Sequence, residues 1–283
     1  MTETDLSSAF AVDTLPRACD GAGVDRATLL ALMDLNMREM YREIARATEG
    51  GWVVERHGLV CCGSPLGTTI TNMAMTAGPV DAATVRQEAA RAFDRAELPY
   101  SVWTRAHADA ALEAELERAG FVEITATPGM VLFRGEGDRR SPPTDVTIEP
   151  VTDDRGRDAY AQVMAEAYAV YGAPEESTRT HFARFESVCS PTTQAFLAVR
   201  GRDPVAGAIL YLSHGIGGVG WVGTRPAAFG HGYGTAATWA VVEAGFARGL
   251  PLVNLQASPM GAPVYRRMGF AEPTSYRVFV PSF

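Results

Sequence analysis

The sequence predicts an α+β fold of two domains, each with a mixed central sheet flanked by helices. Three observations carry that expectation. Apolar periodicity breaks at Gly135-Glu136-Gly137-Asp138 and again through Arg139-Arg140-Ser141-Pro142-Pro143-Thr144, where glycine, charge and paired prolines have linker chemistry. Beyond the break, consecutive short apolar runs read as antiparallel strands, followed by a long helix, a buried strand, a short helix and a closing strand. Finally, a strand, a short helix and a Gly-Phe pair recur from Tyr100 to Phe121 and from Val253 to Phe270, as in an internal repeat. The expected division is residues 1–138, a linker over 139–144, and 145–283.

In the first half, Leu29, Leu30, Met33, Met37 and Met40 recur at helical spacing within a helix over 26–47. Methionine fills irregular gaps, so this stripe reads as core. Strands are expected over 51–55, 59–62 and 68–75, a helix to about residue 96, a strand over 100–104, a short helix over 109–119 ended by Gly120, and a strand pair over 121–125 and 130–134. In the second half the expected strands are 146–150, 195–199, 205–212, 218–222, 252–256 and 276–280. The expected helices are 158–168, 174–188, 232–247 and 260–268.

Bulk properties narrow the function classes. The 283 residues have a formal net charge of −8, most of it before the linker, which disfavours a nucleic-acid polyanion as partner. All 25 basic residues are arginine, which excludes a lysine Schiff base and a P-loop lysine. The four cysteines, Cys19, Cys61, Cys62 and Cys189, fit neither a zinc pattern nor a disulfide scaffold, and no metal site is expected. Adjacent Cys61 and Cys62 would face opposite sides of a strand. The first residues, MTETDLSSAF, lack a secretory pattern and no window is a membrane span, so cytoplasmic residence is expected.

The chemistry concentrates in Val222-Gly223-Thr224-Arg225-Pro226-Ala227-Ala228-Phe229-Gly230-His231-Gly232-Tyr233-Gly234-Thr235. A strand ends, a turn follows, and a helix opens among three alternate glycines. Gly230, Gly232 and Gly234 let a ligand approach the backbone, and the N–H groups of a helix start hold phosphate oxygens. The GK[ST] ending of a Walker A loop is missing, and the antiparallel strands before the turn weaken a Rossmann reading.

This turn resembles the GNAT acyltransferase superfamily, whose acyl-CoA site has Gln/Arg-x-x-Gly-x-Gly/Ala at the start of a main helix. Gly232-Tyr233-Gly234 matches the two small positions, whereas Phe229 stands where the family has a polar or basic residue. The resemblance implies acetyl-CoA as cosubstrate, with Arg225 or His231 compensating for Phe229. Leu255 to Phe270 resembles the family's next strand, helix and Gly-Phe block. It implies Tyr265 as the acid that protonates the leaving thiolate and Ser258 as a polar contact to the cofactor arm. Trp221, Val222 and Gly223 match the stretch whose N–H groups polarise the thioester carbonyl.

The resemblance covers roughly 145–280 well and 51–134 weakly. It implies two acyltransferase-like domains of which the first is a degenerate copy without a phosphate cradle, better suited to shaping the acceptor cleft. The implied reaction is direct attack of a primary amine, on a small molecule or peptide, upon acetyl-CoA. The alternatives are a non-catalytic acyl-CoA-binding or regulatory protein, and a structural protein retaining the fold. No general base is diagnostic among Glu166, Tyr168, Glu175, Glu176, His181 and His214. A homodimer is compatible with the sequence, which does not set oligomeric state.

Overall fold

The computed structural model describes residues 24–93, 97–139 and 141–282; Cys19, the first ten residues and Arg140 lie outside them. The first helix, α1 (Arg26–Ala47), is capped by Asp25, whose carboxylate accepts the Thr28 N–H at 2.9 Å. Its Met33, Met37 and Met40 are all buried, as expected of a core stripe. Strands β1 (Trp52–Arg56), β2 (Leu59–Gly63) and β3 (Met73–Thr76) pair antiparallel in sequence. Cys61 and Cys62 on β2 do enter different clusters on opposite faces, the first with Phe93 and Val102, the second with Met37 and Trp103. Burial pushes both thiols up to about 12, so they are inert packing groups.

The first half continues through α2 (Ala82–Phe93), β4 (Ser101–Arg105), α3 (Ala110–Arg118) and β5 (Phe121–Phe133). After the linker come β6 (Thr147–Pro150), α4 (Asp154–Ala169), α5 (Glu175–His181), β7 (Cys189–Ser190), β8 (Thr193–Arg200), β9 (Asp203–Ser213) and β10 (Ile216–Thr224). The chain ends with α6 (Tyr233–Ala247), β11 (Leu252–Gln256), α7 (Ala262–Met268) and β12 (Ala271–Pro281).

Three elements differ from expectation. The segment 68–72 is a turn, closed by bonds from the Thr71 and Asn72 N–H groups to the Thr68 carbonyl, so β3 starts only at Met73. The helix expected over 174–188 stops at His181. The chain turns there, and Phe182 and Val188 both enter the core beside Trp221. The strand pair expected over 121–134 is one strand of 13 residues. Pro128 is tolerated within it because it lies where the β11 ladder ends: its carbonyl accepts the Ala257 N–H at 2.9 Å, and the missing donor faces no further rung.

The strands form one mixed sheet in the order β1-β2-β3-β4-β12-β5-β11-β10-β9-β8-β6, with β7 paired to β8. β3 and β4 are parallel, as are β10 and β11, and the remaining pairs are antiparallel. The repeat is visible here, with β4-α3-β5 and β11-α7-β12 sharing an order. Their last strands are exchanged. β5 pairs with β11 of the second half, β12 pairs with β4 of the first, and β5 and β12 pair with each other at the centre. Strand pairing therefore crosses the linker at 139–144 and makes one sheet of the two expected. α1 reinforces the junction. Asn36 Nδ2 donates to Ser213 Oγ at 2.8 Å, and its Oδ1 accepts from Asn254 Nδ2 at 2.8 Å.

Candidate active site

Two clefts meet where β10 and β11 part. These parallel neighbours share only two register pairs, Gly217 with Val253 and Gly218 with Asn254, before they splay. The splay is reinforced by a bulge. Between Gly220 and Gly223 the register with β9 shifts, so that Trp221 and Val222 oppose Ala208 alone. Trp221 takes φ +44°, a left-handed conformation costly for so bulky a residue. Tyr160 holds it there, donating its hydroxyl to the Trp221 carbonyl at 2.7 Å.

The first cleft, about 350 Å³, runs from Gly223 and Thr224 past the glycine turn to Tyr265. α6 begins after Gly232, which has φ +81°, and its first internal bond is Ala236 N–H to the Gly232 carbonyl at 3.0 Å. By helix geometry the N–H groups of Gly232, Tyr233, Gly234 and Thr235 precede any internal acceptor and are available to an anion, assisted by the helix dipole. A side chain on Gly234 would bring its Cβ within 2.7 Å of Thr224 Oγ1. Gly223 is small for another reason: its Cβ position is taken by Ala167 and Met164 of α4. Tyr233 is buried and donates to Asp145 at 2.5 Å, so its contribution to this cleft is its backbone.

The second cleft, about 370 Å³, lies across the bulge. Residues of both halves line it, including Tyr41 of α1 and Trp103 of β4 opposite Tyr168 and Trp221. Val222, Tyr171, Ser258 and Tyr265 line both clefts, so the Tyr265 side chain stands at their junction. Burial drives its hydroxyl well above the ordinary tyrosine pKa, Tyr171 adds to the effect, and Thr238 offsets part of it. Such a phenol is fully protonated at neutral pH, the state required of a proton donor. Ser258 accepts the Gly261 N–H at 3.1 Å, capping the turn into α7, and its hydroxyl shares a 3.2 Å bond with Tyr171.

Most sequence-predicted residues thus come together: Val222, Gly223, Gly230, Gly232, Tyr233, Gly234, Thr235, Ser258 and Tyr265 line the first cleft, and Trp221 the second. Two do not. Arg225 is held by Glu166 and Asp203, both at 2.7 Å, and faces neither cleft. His231 bonds the Phe229 carbonyl at 2.9 Å and stacks on Tyr233, bordering a larger groove of about 820 Å³ on the far side of the turn. Neither is placed to compensate for Phe229, which is 44% exposed at the cleft wall.

Arg267 is the residue sequence reasoning missed. It borders both the first cleft and the larger groove, and no ion pair engages it among the described residues. Its neighbour Arg266, by contrast, pairs with Glu272 at 2.6 Å. The signal available was its position two residues after Tyr265, on the same short helix.

Among the base candidates only Tyr168 lines either of these two clefts. Glu166 pairs with Arg225 and Glu175 with Arg179, Glu176 is exposed, and His214 borders a separate polar groove beside Arg42. His181 is buried, with Nδ1 3.1 Å from Thr48 Oγ1. In the first half, the start of α2 is no cradle. Glu115 accepts the Ala82 N–H at 3.1 Å and Asp81 that of Thr84 at 2.8 Å, filling with carboxylates the place an anion would take.

Residues 159–270 match the acetyltransferase (GNAT) family model. No curated protein matches the chain. Among solved structures, a GCN5-related N-acetyltransferase from Kribbella flavida superposes with a TM-score of 0.69 at 19% identity, over 90% of this chain and 96% of that one. A tandem GNAT protein from the clavulanic acid biosynthesis pathway gives 0.57 at 16% identity, covering 99% and 94%. A GCN5-related N-acetyltransferase from Sphaerobacter thermophilus gives 0.57 at 19%, covering 81% and 75%. At these identities the likeness is one of fold.

Proposed function

We propose that the chain is an acyltransferase of the GNAT type, with residues 159–270 matching that family model, and that it transfers an acyl group, acetyl in the simplest case, from coenzyme A to a primary amine of a small molecule or peptide. The observation that carries this reading is the meeting of a cleft that runs along the first turn of α6 and a second, ring-lined cleft at one protonated phenol, Tyr265.

The chain's own residues fit an acyl-CoA. The N–H groups at the start of α6 suit a pyrophosphate, Arg267 adds a cation at the rim, and the cleft between them and Tyr265 suits an extended arm. When bound, acyl-CoA supplies a thioester whose carbonyl carbon is the electrophile and whose thiolate leaves. The bulged main chain at Trp221 to Gly223 offers N–H groups withdrawn from the regular ladder to polarise a carbonyl. Tyr265 gives its proton to the departing sulfur and recovers one from solvent. The new C–N bond replaces the C–S bond, and the proton that nitrogen sheds balances the one sulfur gains. No carboxylate or imidazole base is required if the amine arrives neutral.

A second reading, an acyl-CoA-binding regulatory protein, is favoured by Phe229 in the cleft wall. Calorimetric titration with acetyl-CoA, followed by an assay of amine-dependent thiol release, separates the two. The transferase reading expects saturable binding and thiol release that needs an amine. Binding without release supports the regulatory reading, and absence of binding by the folded protein removes both. No described helix is long and apolar enough to cross a membrane; cytoplasmic residence, where acyl-CoA is made, is part of the proposal.

A further inference from the structure

We propose that the second cleft selects an apolar, aryl-bearing amine and takes it up in its neutral form; this rests on the acyl transfer proposed above and names its acceptor class. The walls are the evidence. Tyr41, Trp103, Tyr168 and Trp221 line the cleft with Ile70, Ile124, Val219 and Val278, and its polar lining is neutral, from hydroxyls such as those of Thr125 and Thr127 and the amide of Gln256. Among the described residues lining it there is no carboxylate, guanidinium or imidazole. The rings are locked by packing. Tyr168 and Trp221 lie 4.5 Å apart, Tyr41 and Trp103 6.1 Å, and Trp103 Nε1 is fixed on Ser101 Oγ at 3.0 Å.

Such walls decide between amine classes. A polyamine or aminoglycoside brings several ammonium groups, each needing a counter-charge once stripped of water, and the lining supplies none. A ring face attracts one cation, but more weakly than the lost hydration opposes it. An aryl group, in contrast, gains by burial and by offset contact with four aromatic neighbours. Desolvation also lowers the amine's own pKa, delivering a free lone pair next to Tyr265. The cleft thereby replaces the general base that no nearby side chain provides. Nearby charged groups are already paired: Arg42 with Glu39 and Glu55, and Glu166 with Arg225.

Trp103 and Trp221 give a direct readout that does not depend on turnover. The full chain is titrated with 2-phenylethylamine and with spermidine, following quenching of tryptophan fluorescence, with acetyl-CoA binding measured separately. The expected result is saturable quenching by 2-phenylethylamine, with a Kd at least about ten-fold below that for spermidine and falling as pH rises toward the amine's pKa. Ile124→Asp puts a carboxylate at the cleft mouth, at a position 52% exposed where folding tolerates it. It is expected to narrow or invert the ratio. Equal or tighter spermidine binding overturns the inference, as does an unchanged ratio in a folded Ile124→Asp protein. Tight aryl-amine binding without acetyl-CoA binding supports the cleft assignment while removing the transferase reading. Acetyl-CoA binding with spermidine preferred removes the cleft assignment alone.

Discussion

The Tyr160 hydroxyl donates to the Trp221 carbonyl at 2.7 Å, joining the middle of α4 to the bulge that opens the sheet. Tyr160 is itself fully buried against Phe182, whose ring also meets Trp221 edge-on at 5.1 Å. The bond therefore holds a residue in a backbone region it would not otherwise occupy. Tyr160→Phe keeps the packing and removes the donor, leaving a buried carbonyl unpaired at a cost of about 1–3 kcal/mol. The expected result is a lowered Tm together with a fall in kcat larger than any change in acetyl-CoA affinity. A variant as active as the parent would show that the bulge holds without this bond.

Tyr265→Phe removes the proton donor and leaves the ring contact with Phe270, centroids 5.7 Å apart, intact. General acid catalysis contributes roughly 10²–10⁴-fold, so kcat should fall by about two orders of magnitude with acetyl-CoA affinity nearly unchanged. Unaltered turnover with a good acceptor would take the role away from Tyr265.

Gly234→Val tests the cradle. Its Cβ would press on Thr224 Oγ1 at 2.7 Å and its methyl groups would cover the N–H groups of the first turn of α6. Calorimetry should show at least a ten-fold weaker Kd for acetyl-CoA, roughly 1.4 kcal/mol, in a protein with unchanged circular dichroism. Equal affinity would mean that phosphate is held elsewhere.

The helix start at the candidate site was legible in the sequence, because there a local pattern dictates local geometry. Alternate glycines before an alanine-rich run announce a helix start open to ligand, and Gly232-Tyr233-Gly234 lies there. Neighbour relations were not legible. Nothing in the run 121–134 tells whether its partner is β4, which ends at Arg105, or β11, which starts at Leu252, because alternation specifies a face and not a neighbour. Arg225 illustrates the same limit. Its position beside the turn suggested a phosphate contact, but Glu166 on α4 and Asp203 on β9 reach it through the fold. The ring-lined second cleft was equally hidden, since Tyr41, Trp103 and Trp221 meet only after the strand exchange.

Arg267→Ala asks whether that side chain does what Phe229 cannot. A charge-assisted contact at an exposed rim is worth about 1 kcal/mol after screening, so acetyl-CoA affinity should fall about five-fold. The salt dependence of binding should also shrink, because one cation fewer meets the phosphates. Phe229→Arg in the same background should restore part of the loss. A variant with unchanged affinity and salt dependence would leave the α6 backbone as the sole phosphate contact.

His181 is expected to contribute to the acid sensitivity of the fold. The Thr48 hydroxyl donates to the Ile44 carbonyl at 2.7 Å, so its oxygen accepts from His181 Nδ1, and the imidazole is neutral. Burial lowers its pKa from 6.5 to about 4. Between those values the unfolded chain binds the proton and the folded one does not. The contribution is therefore complete above pH 6.5 and is lost as pH falls toward 4, amounting to roughly 3 kcal/mol at most. Urea unfolding of the parent should weaken progressively across that window. His181→Gln, which retains a donor for Thr48 and cannot titrate, should show a flatter profile there. Parallel profiles for the two proteins would assign the acid sensitivity to the paired carboxylates, such as Asp109 with Arg105, rather than to this histidine.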